Sequence, residues 1–474
     1  MSWGLYGYDN SFVSPLLSLP HFVARYQGSG TAFTAFNLNL LISVPLIGAA
    51  LGSYASVPIQ LRIGRKWSLV VAYSLFSIPG SILQLFAPNM AAFVIGRTWN
   101  NAGISILNTV SGLYLAELVP VHIRARAVGA SVACANAVSV IATTAVWATE
   151  KIDSPQQYKI PLWIQVAFPV ALALLTLTVL ESPTWYMVHN QEEKARAVLM
   201  KLRHENSRIV ESEMALLRTF VAQDEEHRQS AHFWKILDKE NLQRTLIAGA
   251  CLSTCQVGGQ ILILAYSTVL LVQSGVSNPF QITVIIFLAQ FLGICIGPFL
   301  MDRYGRRPIG LAGFTILFLL DVAIGGLACG GLLTDRERVG LAALFIIFAF
   351  FNSLTFQSLV LLLPAELPAA RYREATAAWS MFWSYVTATV TTFAVPQITQ
   401  NAGLGAKTDL IFAGCMFLTI IGAYFYLPET RGRTLAEIDE MFRMKLPMRK
   451  WKAYTCTAVT ERAVEEFTAG KPEG

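Results

Sequence analysis

The chain has 474 residues, of which 54% are hydrophobic and only 14% are charged, whereas soluble domains average about 25% charged residues. The mean hydropathy is +0.50, so a water-soluble fold of this composition would expose too much apolar surface. This balance excludes a soluble enzyme, a nucleic-acid-binding protein and a disordered protein. The net charge of +6 is small for the length.

Twelve apolar segments are each long enough to cross a bilayer as a helix, which needs roughly 20 residues. They span 2–19, 35–57, 67–87, 91–115, 127–149, 161–180, 244–272, 279–301, 308–333, 339–363, 375–397 and 408–427. Two further segments are polar. We therefore predict an all-α membrane protein with a six-helix half (1–181), a cytoplasmic helical linker (182–243), a second six-helix half (244–427) and a cytoplasmic tail (428–474).

Lysine and arginine residues fall mainly on one side of these predicted spans. With both termini in the cytoplasm, the cytoplasmic segments hold 29 of the 36 cations, the outer loops hold 6, and Arg97 lies inside a helix. Positive residues concentrate on the cytoplasmic side of membrane proteins. The distribution therefore predicts cytoplasmic termini, and we expect the plasma membrane as the location.

Three short polar motifs occur twice, at offsets of 241, 249 and 248 residues. The sequence from Arg62 to Lys66 matches that from Arg303 to Arg307, and Glu181-Ser182 matches Glu429-Thr430. An acid–proline–arginine motif that begins at Glu117 has its second copy at Glu366. Three motifs at nearly one offset indicate two six-helix halves in parallel repeat.

Acids at helix ends beside arginine pairs on the next loop can form charge networks that hold one side of a transporter closed. The predicted gating residues are Arg65, Glu117, Arg124, Glu181, Asp302, Arg306, Arg307, Glu366, Arg373 and Glu429. The alternative is that these residues only fix the topology.

At these residues the sequence resembles the sugar porter family of the major facilitator superfamily, over almost the whole chain. The most specific motif is Pro428-Glu429-Thr430-Arg431-Gly432-Arg433 after the last span, and Gly403–Thr408 resembles fungal members. The resemblance implies the major facilitator fold, with twelve helices in two six-helix halves that give alternating access to a central site.

The resemblance also identifies positions that would contact the solute. Candidate substrate-binding residues are Tyr6, Asn136, Gln256, Gln260, Gln290, Phe356, Ser384 and Tyr385. Several family positions with polar side chains are apolar here, including Val132, Ile261 and Ala265. Each hydroxyl left unpaired in a semi-dry site costs roughly 1–3 kcal/mol, so we expect hexoses to bind poorly.

Asp9 and Arg97 are ionisable residues within predicted membrane helices, where such groups mark functional sites. At 1.5 Å per residue, Asp9 lies about 15 Å and Arg97 about 10 Å below the outer face, so the two can pair. Arginine stays protonated, so Asp9 is the group that can exchange a proton. In related symporters the matching pair couples proton and solute movement, and the alternative is a permanent ion pair in a uniporter. Asp321 in the ninth span is expected to be structural.

We therefore expect a secondary active transporter for a small polar organic solute, sugar or sugar-like, coupled to protons. One alternative is a carrier that exports or imports a less hydroxylated specialised metabolite, and another is a non-transporting nutrient sensor. No metal-ligand spacing and no nucleotide-binding loop is present, so we expect neither a cofactor nor enzymatic activity. The expected partners are the solute, protons and the lipid bilayer, without nucleic acid.

Overall fold

The computed structural model describes residues 2–28, 32–119, 121–203, 207, 210–211, 213–215, 217–218, 236–238, 241–331, 334–360, 363, 367, 373–431, 433 and 435–454. For 116, 121–126, 128, 373–375, 378, 435–436, 439 and 453 it describes the backbone alone. Among these residues the chain is helical, and no strand is found.

Six long helices make up the first half. They are α1 (Ser2–Leu16), α2 (Ala35–Ile63), α3 (Arg65–Leu85), α4 (Met90–Leu118), α5 (Val121–Thr149) and α6 (Gln156–Leu177). A short helix, Pro20–Tyr26, follows α1. Leu19, which precedes Pro20, has an extended backbone, because a proline disfavours the helical conformation in the residue before it. The predicted span therefore does not continue as one helix through residue 19.

Six more long helices make up the second half. They are α7 (Leu242–Val257, then Ile261–Ala265 and Ser267–Gln273), α8 (Pro279–Tyr304), α9 (Arg306–Cys329), α10 (Asp335–Val360), α11 (Arg373–Pro396) and α12 (Asp409–Tyr426). Short helices lie outside the two halves, at Pro183–Val188, Glu192–Leu202, Leu435–Arg443 and Met448–Ala453.

The twelve predicted spans correspond to these twelve helices, so the predicted fold class is confirmed. Eight of the helices are long and apolar enough to cross a membrane on those properties alone. The other four, α1, α4, α7 and α11, are shorter, interrupted or more polar. Several helices also extend past the predicted apolar segments, as α2 does to Ile63, because a helix can continue into the headgroup region beyond the hydrocarbon.

Close contact between neighbouring helices depends on duplicated glycine pairs. A Cβ atom at Gly48 or Gly52 of α2 would lie 2.2 or 2.3 Å from a backbone oxygen of α4. At Gly293 and Gly297 of α8 it would lie 2.5 or 2.4 Å from a backbone oxygen of α10. Both pairs have the Gly-x-x-x-Gly spacing that lets membrane helices approach closely. The two halves therefore use the same packing device.

The halves meet along two pairs of long helices, α2 against α11 and α5 against α8. At the end remote from the basic motifs they are also joined by polar contacts. The Thr268 backbone N–H donates to Ser14 Oγ at 3.3 Å, and Gln400 Nε2 donates to the Phe33 carbonyl at 3.2 Å. These bonds link the halves and close the protein at that end.

Helix α7 is broken where the sequence predicted a continuous span. Gly258 and Gly259 follow its first segment, and Gly259 has a φ of +77°. That backbone conformation favours glycine. The chain then continues as a π-helical turn at Ile261–Ala265, so the break places the next side chains, Gln260 and Ile261, at the interface between the halves.

Candidate substrate and proton site

A central cavity lies between the halves and is lined by α1, α2, α4, α7 and α11. Four of these five helices, α1, α4, α7 and α11, are the shorter, interrupted or more polar helices of the protein. The cavity has a volume of about 120 Å³, below the roughly 300–1,000 Å³ of pockets that enclose drug-sized ligands. The arrangement in this conformation is therefore a narrowed site rather than an open one.

The wall from the first half contains a buried carboxylate and a buried guanidinium. Asp9 is 3% exposed and Arg97 is 5% exposed. Arg97 Nη2 lies 3.9 Å from Asp9 Oδ2, at the long end of an ion pair. The structure thus brings together the two residues that their depths predicted to meet, and both line the cavity.

Three amide side chains hold Asp9 more closely than the arginine does. Asn100 Nδ2 donates to Oδ1 at 2.7 Å, and Gln165 Nε2 donates to the same oxygen at 2.6 Å. Asn101 Nδ2 donates to Oδ2 at 3.1 Å. Hydrogen bonds of this kind stabilise a carboxylate where water is scarce. Asp9 is therefore held in place by neutral donors and faces a single cation, Arg97, among its described partners.

Sequence reasoning missed most of this cage. Asn100, Asn101 and Gln165 were not predicted as partners of Asp9. The relevant signal was available, because three amides on α4 and α6 lie at membrane depth, where polar side chains need partners. Asn10 and Thr392 also line the cavity without having been predicted.

The wall from the second half carries amides and a phenol. Gln256, Gln260, Tyr385 and, from the first half, Tyr6 are the predicted substrate residues that line the cavity. Gln256 Nε2 donates to Ser384 Oγ at 3.3 Å, and Gln260 Oε1 accepts from Cys255 Sγ at 2.6 Å. Ile261, Leu264 and Ala265 complete this wall, so its polar groups are few and separated by apolar surface.

The other four predicted substrate residues lie elsewhere in this conformation. Phe356 is 1% exposed and packs edge-on against Phe314, with ring centroids 4.6 Å apart. Asn136 donates to the Val132 carbonyl at 3.0 Å within α5. Neither these two, nor Gln290, nor Ser384 lines the cavity. Ser384 instead accepts a hydrogen bond from the cavity residue Gln256.

Three predicted gating residues of the first half, Arg65, Glu117 and Glu181, lie close together. Arg65 Nη2 donates to Glu117 Oε1 at 2.9 Å, with both side chains largely buried. Glu181 Oε1 accepts from the backbone N–H groups of Arg65 and Lys66 at 2.8 and 3.1 Å. The acid after α6 therefore caps the start of α3, where the helix dipole favours a negative charge, rather than pairing with an arginine side chain.

The second half repeats the cap. Glu429 oxygens accept from the backbone N–H groups of Arg306 and Arg307 at 2.9 and 3.2 Å. Arg306 pairs with Asp302 at 3.0 Å, but the Asp302 side chain is 70% exposed. Glu366 and the side chains of Arg124 and Arg373 lie outside the described residues. The ion pairs found among the described gating residues join groups of the same half.

Asp321 is fully buried in α9, and so is Asp409 at the start of α12. Among the described residues neither carboxyl group has a hydrogen-bond partner. Asp321 Oδ1 would lie 2.7 Å from a Cβ at Gly259, in the break of α7. No group of three or more metal-ligating side chains occurs in the part of the chain that the structure describes.

Comparison with known proteins identifies relatives of the whole chain. The family model for the sugar (and other) transporter family matches residues 2–442. The major facilitator-type transporter ecdD of Aspergillus rugulosus is 26% identical, covering 92% of this chain and 85% of that protein. The high glucose sensor RGT2 of Saccharomyces cerevisiae is also 26% identical over 93% of this chain, which spans only 59% of that sensor's length.

Solved structures agree on the fold. An inward-open structure of the xylose transporter XylE from Escherichia coli superimposes with a TM-score of 0.76 at 18% identity, covering 93% of this chain and 97% of that one. A structure of XylE described as a major facilitator proton:xylose symporter, bound to a bromodeoxyglucose, has a TM-score of 0.72. The chain is therefore a multi-pass membrane protein that belongs to the sugar (and other) transporter family.

Proposed function

We propose that the chain is a secondary active transporter that couples movement of a small polar organic solute to protons. The observation that carries this proposal is the Asp9–Arg97 pair, whose carboxylate and guanidinium belong to residues that line the cavity between the halves. A carboxylate in such a cavity can take up a proton when the neighbouring cation and amides move away. The structural similarity to XylE, which is described as a proton:xylose symporter, supports this proposal.

The solute binds between the charged wall and the amide wall. Gln256, Gln260 and Tyr385 offer donors and acceptors for hydroxyl or carbonyl groups, as a sugar-like solute requires. A second candidate is a less hydroxylated metabolite, imported or exported. The apolar residues Ile261, Leu264 and Ala265 between those polar groups favour it, because unpaired solute hydroxyls would lose their hydration there.

Alternating access proceeds by rocking of the two halves about the cavity. The polar contacts at the end remote from the basic motifs must break when that end opens. At the opposite end, each half is stabilised by its own contacts. These are the capped starts of α3 and α9 and the ion pairs Arg65–Glu117 and Arg306–Asp302. Their proposed gating role is to change partners as the halves rock.

The cation distribution supports a topology with both termini in the cytoplasm. On this view 1–181 and 244–427 are the transporting halves, 182–243 is the cytoplasmic linker, and 428–474 is the cytoplasmic tail. We place the protein in the plasma membrane. It acts on solute and protons without chemical conversion of the solute, without a cofactor and without nucleic acid.

The decisive experiment uses purified protein in proteoliposomes. A radiolabelled panel of hexoses, disaccharides, polyols and cyclic acids first identifies the solute taken up by the unmodified protein. Asp9→Asn is then compared with Asp153→Asn, whose carboxylate is fully exposed in a loop. We expect Asp9→Asn to lose accumulation driven by a proton gradient while it retains exchange of solute for solute, and Asp153→Asn to retain both.

Two results would contradict the proposal. If Asp9→Asn still accumulates solute in response to the proton gradient, Asp9 is not the coupling carboxylate. If the unmodified protein binds solute but neither exchanges nor accumulates it, the non-transporting sensor is the better description.

A further inference from the structure

A second pocket, of about 330 Å³, opens on the basic side of the second half. It is lined by Tyr304, Glu429, Arg431, Arg433 and Lys452. These residues come from the end of α8, the segment after α12 and the short helix Met448–Ala453. The pocket is therefore separate from the central cavity and has four charged side chains among its five lining residues.

Glu429 lines this pocket as a carboxylate whose oxygens are held by backbone N–H groups. Its oxygens accept backbone N–H bonds from Arg306, Arg307 and Arg431, at 2.9, 3.2 and 3.1 Å. Arg433 pairs with Glu437 at 3.2 Å. In the part of the chain that the structure describes, no carboxylate forms an ion pair with the exposed side chains of Arg431 or Lys452. The pocket thus presents the cations of Arg431 and Lys452 to an external anion, beside the carboxylate of Glu429.

The segment that carries Lys452 is fixed to the protein. Trp451 is fully buried, donates from Nε1 to the Leu446 carbonyl at 3.2 Å, and packs edge-on against Phe442. Arg433 Nη2 donates to the Trp451 carbonyl at 3.0 Å. Lys452 is therefore held beside the pocket.

Aromatic side chains beside the short helix that carries Lys452 indicate the level of the lipid headgroups. The Arg449 guanidinium lies 4.6 Å from the ring centre of Tyr424 and 4.4 Å from that of Phe425. Both rings are about half exposed at the end of α12. Aromatic residues in this position mark the boundary between hydrocarbon and headgroups. Tyrosine and arginine fit this boundary because each has an apolar body and a polar end, and the two attract each other through a cation–π contact.

We propose that this pocket binds the phosphate-bearing headgroup of an anionic lipid, with Arg431 and Lys452 as its cationic ligands. Basic pockets at the cytoplasmic face of membrane helices bind such headgroups, and arginine matches the geometry of phosphate oxygens. The first half offers an internal comparison, because Ser182 and Pro183 follow Glu181 where Thr430 and Arg431 follow Glu429. The site therefore belongs to the second half alone.

The test uses full-length protein in detergent micelles of zwitterionic type and a short-chain phosphatidylinositol monophosphate. Binding is measured by titration calorimetry for the unmodified protein, for Arg431→Gln with Lys452→Gln, and for a control with Arg62→Gln and Lys201→Gln. The control removes two exposed cations elsewhere. We expect the pocket variant to bind about 30-fold more weakly, which corresponds to about 2 kcal/mol for two surface cations, and the control to bind like the unmodified protein.

Further arms identify the source of the phosphate. Short-chain phosphatidylcholine should not bind in the pocket, and inorganic phosphate should compete only at concentrations far above those of the anionic lipid. Equal weakening in the pocket and control variants would overturn the proposal, as would equal binding of phosphatidylcholine. Tight binding of inorganic phosphate without binding of the lipid would likewise overturn it. Unchanged thermal unfolding of the pocket variant without lipid shows that it is folded.

Discussion

The two halves of the protein are alike at their basic ends and unlike at the central cavity. In both, an acid after the last helix caps the start of the third, Glu181 in one half and Glu429 in the other. At the cavity, the first half contributes the Asp9–Arg97 pair, while the described cavity residues of the second half carry no acid or cation. Duplication has preserved the framework, and the two cavity walls have diverged.

This difference suggests a division of labour between the halves. Proton exchange needs a titratable group with partners that can move, and in the proposed mechanism the first half supplies it in Asp9 and its amide cage. Solute recognition needs neutral donors and acceptors at defined positions, and in the proposed mechanism the second half supplies them in Gln256, Gln260 and Tyr385.

The largest loss of stability should come from breaking the buried ion pair of the first half, Arg65–Glu117. Glu117→Ala leaves Arg65 buried without its acid and should lower the free energy of unfolding by about 3–5 kcal/mol. Asp302→Ala removes an acid that is 70% exposed and should lower it by at most about 1 kcal/mol. Thermal and denaturant unfolding in detergent measure both. Equal losses would show that the two networks contribute alike.

The glycine contacts should affect both halves equally. Gly48→Ala and Gly293→Ala each place a Cβ within 2.5 Å of a backbone oxygen and should cost about 1–3 kcal/mol of stability through overpacking. Gly129→Ala is the control, because nothing lies within 4 Å of its added Cβ, and it should leave stability unchanged or raise it. The measurement is the unfolding midpoint of each of the three variants relative to the unmodified protein. A tolerated Gly293→Ala would contradict the proposed equivalence of α2–α4 and α8–α10.

Solute affinity should depend on the second half. Gln256→Ala removes a cavity amide and should weaken binding of the identified solute about tenfold, since an unmet hydrogen bond costs about 1–3 kcal/mol. Asn136→Ala should change the dissociation constant little, because that amide is engaged within α5. Equilibrium binding to purified protein provides the measurement. A larger loss in Asn136→Ala would place the solute against α5 instead.

Hexose binding offers the smallest expected effect. Ile261 lines the cavity whereas Val132 does not, so Ile261→Asn should strengthen glucose binding by a few-fold and Val132→Gln should leave it unchanged. The added amide supplies one hydrogen bond, worth about 0.5–1.5 kcal/mol. Competition by glucose against the identified solute measures both variants. Tight glucose binding by the unmodified protein would contradict the expectation that hexoses bind poorly.

The sequence was sufficient for the fold because its signals act at the length of whole helices. Apolar runs marked the spans, and motif offsets marked the two halves. The depths of Asp9 and Arg97, which follow from a nearly constant rise per residue, predicted their approach together with the neighbouring helices that the family resemblance implies.

The side chains that line the cavity could be predicted only in part, because that depends on helix rotation. A π-helical segment at Asn352–Gln357 shifts the faces of α10, and Phe356 consequently packs against α9. Glu181 binds the backbone N–H groups at the start of α3. Because every residue except proline has such a group, the sequence does not show which ones an acid will bind. The amide cage of Asp9 joins three helices, so spacing within one helix could not reveal it.

The central claim is that Asp9 carries the coupled proton, and solute-induced proton uptake tests it most directly. Weakly buffered proteoliposomes with a pH-sensitive dye inside receive the identified solute without an imposed gradient. The account predicts internal acidification with the unmodified protein and none with Asp9→Asn, although the variant still exchanges labelled solute. Acidification of equal size in the Asp9→Asn variant would contradict the account.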